Sequence, residues 1–290
     1  MKRIWCAIVI ASSVLIVHGQ ESAAPKVLIP VIANGSYHQP TTITPETLVI
    51  TDHNAAVTGA GLLRGADLPL ELGVLVDASG SQRGTHIRDT LKAARQFVDE
   101  AIRRPEDRVF FLQFREEADA TPWLSREQLQ GTTLKVTPVG GTAFYDALFM
   151  ACKQRMGLRE WRKPTRRILL VVSDGEDNSS HTTRVAAEAE AIKSGVAIFT
   201  INTANPDAGM RGEKVLESFA RLTGGESFSQ IDGKDLPNVF SSLKKLFEGM
   251  YYLTYVPPDA SKKEVHDVDI KPTPKEVFQL TYSRKYFWNP

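Results

Sequence analysis

Four short apolar runs recur through the middle of the chain, each bounded by polar or turn-forming residues: "LELGVLVD" (70–77), "DRVFFLQF" (107–114), "RRILLVVSD" (166–174) and "VAIFTIN" (196–202). They are nearly continuous in apolar residues rather than alternating, which is what a strand covered on both faces requires. Helix-period segments separate them. Ile87, Leu91, Ala94, Val98 and Ala101 fall on one face of a helix running to about Arg104. A second helix is predicted from about Ala143 to Met156, with Leu148, Phe149, Cys152 and Met156 inward, and others over Thr182–Lys193, Gly212–Leu222 (closed by Gly224 and Gly225) and Asp235–Glu248. Asp119 to Leu124 reads as a short edge strand. Parallel strands need long crossovers, and helices in those crossovers cover the sheet. The expected fold class is therefore α/β: a doubly wound, mostly parallel sheet flanked by helices.

The two ends differ. "KVLIPVIANG", "ETLVITDHN", "YYLTYVPP", "HDVDIKP" and "VFQLTYSRKYF" are short, β-rich and punctuated by Pro, Gly, Asn and Asp. They predict a small β module assembled from the N- and C-terminal segments. The expected organisation is a signal peptide over 1–19, N-terminal β segments over 20–67, the α/β domain over 68–250, and C-terminal β segments over 251–290 that pack with 20–67.

Lys2 and Arg3 precede an apolar stretch from Ile4 to about Val17, and Gly19 sits just before a cleavage point, the pattern of a secretory signal peptide. That stretch is shorter than the ~20 apolar residues a spanning helix needs. The expectation is an exported protein, secreted or periplasmic, with no membrane span in the mature chain. Of the two cysteines, Cys6 falls in the leader. Cys152 is then alone, unable to form an intrachain disulfide, and its setting in "ALFMACKQRM" fits a buried helical thiol. With 42% hydrophobic residues a core can form without cross-links, and a formal net charge of +1 gives no reason to expect nucleic acid as a partner.

In an open α/β sheet, ligands bind beyond the carboxyl ends of the strands, where the strand order reverses. Asp77 closes one run and Asp174 another, and each is followed by a hydroxyl-rich loop, "DASGS" (77–81) and "GEDNSS" (175–180). Between them "VGGTAFYDAL" (139–148) places Thr142 at the head of a helix, with Gly140 and Gly141 letting the backbone approach closely. Three loops thus deliver Asp77, Ser79, Ser81, Thr142 and Asp174. An all-oxygen set suits a hard cation, Mg²⁺ above all, with Mn²⁺ and Ca²⁺ as alternatives. In an extended loop Asp77, Ser79 and Ser81 turn to the same side, and small Ala78 and Gly80 allow it. Capping of the following helix is the competing use of these three residues. Asp146 reads as a first-turn acid facing the helix dipole, and Glu176 and Asp177 as solvated loop acids. His38, His53, His86, His181 and His266 show no zinc spacing; His86 and His181 read as surface polar groups near the site.

The pattern Asp-x-Ser-x-Ser, then a distant Thr, then a distant Asp resembles the metal-ion-dependent adhesion site of the von Willebrand factor type A family. The likeness covers about residues 68–250. "GGTAFYDAL", "SDGEDNSS", "LTGGESF", "YYLTYVP" and "YSRKYF" are further similar to a secreted bacterial subfamily that carries β segments on either side. The resemblance implies a Rossmann-like fold and a protein-binding module of adhesion or assembly rather than an enzyme. It also implies that Ser79, Ser81 and Thr142 touch the cation directly while Asp77 and Asp174 hold it through water. One coordination position then remains for an Asp or Glu carboxylate of a protein partner. Gln82 departs from the pattern, since an apolar residue often follows the second serine.

Catalysis finds less support in the residues. An aspartate ending a strand also resembles haloacid-dehalogenase-type phosphatases, but those place a second Asp two positions on, where this chain has Ser79. "DASGS" is no Gly-x-Ser-x-Gly nucleophile elbow, and no Gly-x-x-x-x-Gly-Lys phosphate loop occurs. A structural scaffold with an unused site and a phosphatase-like hydrolase are the alternatives to a metal-dependent binding module.

Overall fold

A computed structural model describes residues 26–35, 39–83, 85–132, 136–157, 163–204, 211–229 and 235–290. The expected signal peptide with Cys6, His38 and the side chain of His86 lie outside the described residues.

Four short strands come first: β1 (Ile29–Asn34), β2 (Leu48–Asp52), β3 (Ala55–Ala56) and β4 (Gly61–Arg64). The α/β portion follows as β5 (Leu70–Asp77), α1 (Thr85–Ala101), β6 (Arg108–Phe114), β7 (Ala118–Ala120), α2 (Arg126–Gln130), α3 (Phe144–Met150), β8 (Arg166–Ser173), α4 (Arg184–Ser194), β9 (Ala197–Asn202), α5 (Arg211–Thr223), β10 (Ser227–Phe228) and α6 (Leu236–Gly249). Strands β11 (Tyr251–Thr254), β12 (Glu264–Pro272), β13 (Gln279–Tyr282) and β14 (Lys285–Trp288) end it.

The central sheet has the order β10-β9-β8-β5-β6-β7 and is parallel except for β7. Both faces are covered, which is why the middle stretches of β5 (Leu72–Val76) and β8 (Ile168–Val172) carry no polar side chain. Leu72, Val74 and Val76 of β5 pack with Phe97 and Val98 of α1 and Phe240 and Phe247 of α6 on one side. Leu75 and Val171 meet Leu148 of α3, Ala187 of α4 and Phe219 of α5 on the other. Gly73 interrupts β5 because a Cβ there would lie 2.5 Å from both Leu169 and Phe110. The chain runs from β5 out to β6 and β7, then crosses back to β8 on the other flank of β5. The order therefore reverses between β5 and β8, the two strands that carry Asp77 and lead into Asp174.

The terminal segments build two four-stranded antiparallel sheets, β13-β1-β11-β4 and β14-β12-β2-β3, as the β-rich ends predict. Alternation from Leu28 into β1 serves two cores at once. Ile29 and Val31 join Ile50, Leu253, Val268 and Trp288 in a core of the terminal sheets, while Leu28 and Ile32 join the α/β core. Strands β3 and β4, short and weakly apolar, are the additions that the sequence does not announce.

One helix departs from expectation. Helix α3 winds on as a π-helical turn over Ala151–Met156, closed by Gly157 N–H donating to Cys152 O at 2.8 Å. Its buried stripe is Phe144, Ala147, Leu148, Ala151, Cys152 and Met156. Phe149, expected inside, is a turn of about 100° from Leu148, half-buried, with the Lys153 ammonium 4.9 Å from its ring centre. Cys152 is fully buried as expected, and burial pushes its thiol up to about 12. Its labelling by a thiol reagent at neutral pH should thus occur only through opening of the fold. Labelling of the native protein as fast as that of the denatured chain would place the thiol on the surface. No helix among the described residues is long and apolar enough to cross a membrane.

Candidate metal centre

The loop after β5 turns immediately under the constraint of its neighbours. Ala78 N–H donates to Phe114 O at 2.8 Å, Ala78 O accepts from Val139 N–H at 3.0 Å, and Gly80 N–H donates to Gly140 O at 3.0 Å. The "DASGS" loop is thereby zipped to the glycine loop that carries Thr142. Ser79 is extended, but Ser81 sits in a helical turn over Gly80–Gln82 rather than in the extended loop that the spacing suggests. The two hydroxyls still face one another, with Oγ atoms 3.0 Å apart.

Asp77 is completely buried. Its Oδ1 accepts from Ser79 N–H at 2.9 Å, and its Oδ2 accepts from the buried Ser173 hydroxyl at 2.7 Å. Asp174 Oδ2 accepts from Ser81 Oγ at 2.5 Å and from Gln82 Nε2 at 3.1 Å, and its Oδ1 accepts from Glu176 N–H at 3.1 Å. Asp77, Ser79, Ser81 and Asp174 are thus joined in one chain of contacts. Thr142, buried beside them, is fixed through its backbone: its N–H donates to Asn178 Oδ1 at 2.8 Å, and its carbonyl accepts from Asn178 N–H and Ser179 N–H. Its hydroxyl has no hydrogen-bond partner among the described residues.

The loop acids do more than face solvent. Asp177 Oδ1 accepts from Tyr145 N–H at 3.3 Å, and Ser180 Oγ accepts from Asp146 N–H at 3.1 Å, so two of the free N–H groups at the start of α3 are satisfied by the loop after β8. Asp146 answers in kind, its carboxylate accepting from His181 N–H and Thr182 N–H at 2.9 and 2.7 Å. Asp146 is therefore a clamp between the two loops rather than only a charge on the helix dipole, and Asp177 is half-buried and structural. Glu176 and His181 are exposed, as expected. Sequence reading missed Ser173, Gln82 and Asn178, whose roles depend on partners 96, 92 and 36 residues away. It also missed that Asp52, His53 and His266 come together, far from this centre in the chain.

Electrostatically the centre is unbalanced. Burial, reinforced by the Asp174 charge and opposed by the Ser79 and Ser173 hydrogen bonds, pushes the Asp77 carboxyl up to about 6. Among the described residues no Lys or Arg forms an ion pair with Asp77 or Asp174. Two adjacent carboxylates without a cationic side chain, ringed by hydroxyls, have the donor chemistry of a hard divalent cation.

The family model of the von Willebrand factor type A domain matches residues 71–242, more than half of the chain. The chain belongs to this family. Solved structures with a similar fold include manganese-loaded TRAP protein of Plasmodium vivax, 16% identical with 77% of this chain and 95% of that one covered, TM-score 0.45. A von Willebrand factor type A protein from Catenulispora acidiphila is 12% identical over 92% of this chain and 75% of that one, TM-score 0.46. An aerotolerance-related membrane protein from Bacteroides fragilis is 17% identical over 61% and 98%, TM-score 0.42. No curated protein matches the chain significantly.

In this von Willebrand A domain the position of Asp174 depends on a glycine contact. A Cβ on Gly212, in the first turn of α5, would stand 2.1 Å from the Asp174 carbonyl. Gly212→Ala should therefore displace the loop, costing about 1–3 kcal/mol in denaturant unfolding and weakening any stabilisation by divalent cation. Wild-type stability and an unchanged cation response in the variant would show that the loop is not held there.

Proposed function

We propose that this chain is an exported, metal-dependent protein-binding module of adhesion or assembly. Its von Willebrand A domain spans 68–250, its flanking β segments 20–67 and 251–290, and its leader 1–19. Asp77, Ser79, Ser81, Thr142 and Asp174 would hold the cation, Mg²⁺ by preference and Mn²⁺ or Ca²⁺ as substitutes. The observation that carries this is the pair of buried carboxylates at the reversal of strand order, faced by hydroxyls and, among the described residues, in no ion pair with a Lys or Arg. A bound divalent ion supplies a positive centre that a partner's Asp or Glu carboxylate can complete. Ser79, Ser81 and Thr142, being neutral, leave that positive character largely in place. The carboxylates orient the hydroxyls, and the Gly80–Gly140 and Asp146–Thr182 contacts hold the three loops in register. The Ser79, Ser81 and Ser173 hydroxyls meet carboxylates and one another rather than an imidazole base, which favours binding over catalysis.

Cation linkage tests the assignment. At a concentration ten times Kd, Mg²⁺ or Mn²⁺ stabilises by about 1.4 kcal/mol, a rise in melting temperature of a few degrees. Asp77→Ala and Thr142→Ala should both lose the rise, and Thr142→Ala should keep the metal-free melting temperature. An equal rise in all three proteins would assign the cation elsewhere. Capture of an acidic partner should require both Mg²⁺ and Thr142; undiminished capture in excess chelator would remove the centre from binding.

A further inference from the structure

The terminal sheets bring together a second set of ligand-capable groups. Strand β2 ends at Asp52, and the two-residue turn to β3 is His53–Asn54, both at positive φ (47° and 66°). That is the primed hairpin geometry, which His and Asn enter more readily than most residues. Pairing of Asp52 with Val268, and of His53 N–H with Asp267 O at 2.9 Å, lays the turn over His266 of β12. His266, 1% exposed, lies opposite Tyr286 of β14 in the strand register.

His266 Nδ1 is 2.8 Å from Asp52 Oδ1, and the Tyr286 hydroxyl donates to Asp52 Oδ2. The imidazole is sandwiched between His53, stacked at 4.5 Å and 5°, and Tyr286, at 5.1 Å and 25°. One donor atom from each of Asp52, His53 and His266 lies within 4.8 Å of the other two. Independently of this clustering, His266 Nε2 is buried and has no hydrogen-bond partner among the described residues. With Nδ1–H donating to a carboxylate, the neutral ring carries its lone pair on Nε2, and a lone pair removed from water without a donor is costly. A cation there would relieve that cost. Tyr286 behind Asp52, and Asp52 behind His266, is also the order of groups that orients a metal-bound imidazole and raises its basicity.

We propose that His266 Nε2 and His53 bind a divalent transition-metal ion of the zinc type, with Asp52 holding the His266 ring. The stack of His53 on His266 is the metal-free packing. His53 is exposed on its turn and rotates about its Cα–Cβ bond to offer a nitrogen. Imidazole ligands select Zn²⁺ over Mg²⁺, which separates this site chemically from the oxygen centre of the α/β sheet.

Calorimetric titration of Zn²⁺ into the untagged full chain carrying Asp77→Ala, so that the oxygen centre is silenced, tests the site. One saturable equivalent is expected, bound as tightly as by the wild type and not displaced by excess Mg²⁺. Adding His53→Asn, which the left-handed turn accommodates, should lower the affinity at least about tenfold with little change in metal-free melting temperature. His266→Gln should weaken it as much or more; if that variant does not fold, His53→Asn decides alone. Absence of saturable Zn²⁺ binding, or equal affinity with and without His53, would overturn the proposal.

Discussion

The parallel pairing of β5 with β8 is the constraint on which the centre depends. Leu70 to Val76 run in register against Arg166 to Val172, and the next step of each strand brings Asp77 against Ser173. The Ser173 hydroxyl donates to Asp77 Oδ2 and accepts from Gly175 N–H at 3.0 Å, so one buried side chain both orients the first carboxylate and starts the turn that presents the second. A slip of one residue would send every apolar side chain of β5 to the wrong face. The two cores of the sheet therefore fix the position of Asp77 as firmly as any contact within the site. Arg166 and Arg167 anchor the other end of β8, Arg166 donating to the Leu68 and Phe247 carbonyls and Arg167 to the Ser194 carbonyl at 2.6 Å.

Burying two carboxylates side by side is unfavourable, and the fold tolerates it through the hydrogen bonds around them. Asp77 accepts from a backbone N–H and a hydroxyl, and Asp174 from a hydroxyl, an amide and a backbone N–H. These hold the acids in place and act to lower the Asp77 carboxyl, but burial and the Asp174 charge outweigh them and leave it raised to about 6. A cationic side chain in the same space would relieve the repulsion and occupy the position that a mobile cation could otherwise take. The departure at Gln82 belongs to the same solution. Its amide donates to Asp174 while its carbonyl accepts from Thr203 Oγ1 at 2.8 Å, so a neutral group ties the second carboxylate to the end of β9.

How much of this was legible follows from the range of the signals. The strands and most helices rest on local periodicity, and the doubly wound class follows from their alternation. The terminal sheets were visible as β-rich segments. What pairs with what was not, because β2 finds β12 across more than two hundred residues. At the centre, strand ends and hydroxyl spacing pointed to Asp77, Ser79, Ser81, Thr142 and Asp174. Ser173, Gln82 and Asn178 carry no such spacing, since each acts on a loop brought near only by the sheet. Phe149 was misplaced for a local reason: one residue's rotation separates the buried stripe from its flank, and Lys153 covers the ring that an apolar count places inside.

Range also accounts for the absence of a metal-ligand interval between the histidines. Zinc spacing in sequence works where both ligands share one helix or one tight turn, so that a fixed interval sets their distance. His53 and His266 instead meet only because the pairing of β2 with β12 lays the β2–β3 turn over His266. The register of β2 against β12 sets their separation, and that register cannot be read from an interval in the chain. Antiparallel pairing aligns residues whose sequence separation is arbitrary, whereas the oxygen centre gathers the ends of parallel strands, each of which announces itself by an apolar run stopping at an acid. A centre built at parallel strand ends is thus visible in one sequence, while one built across an antiparallel sheet becomes visible only when the strands are paired.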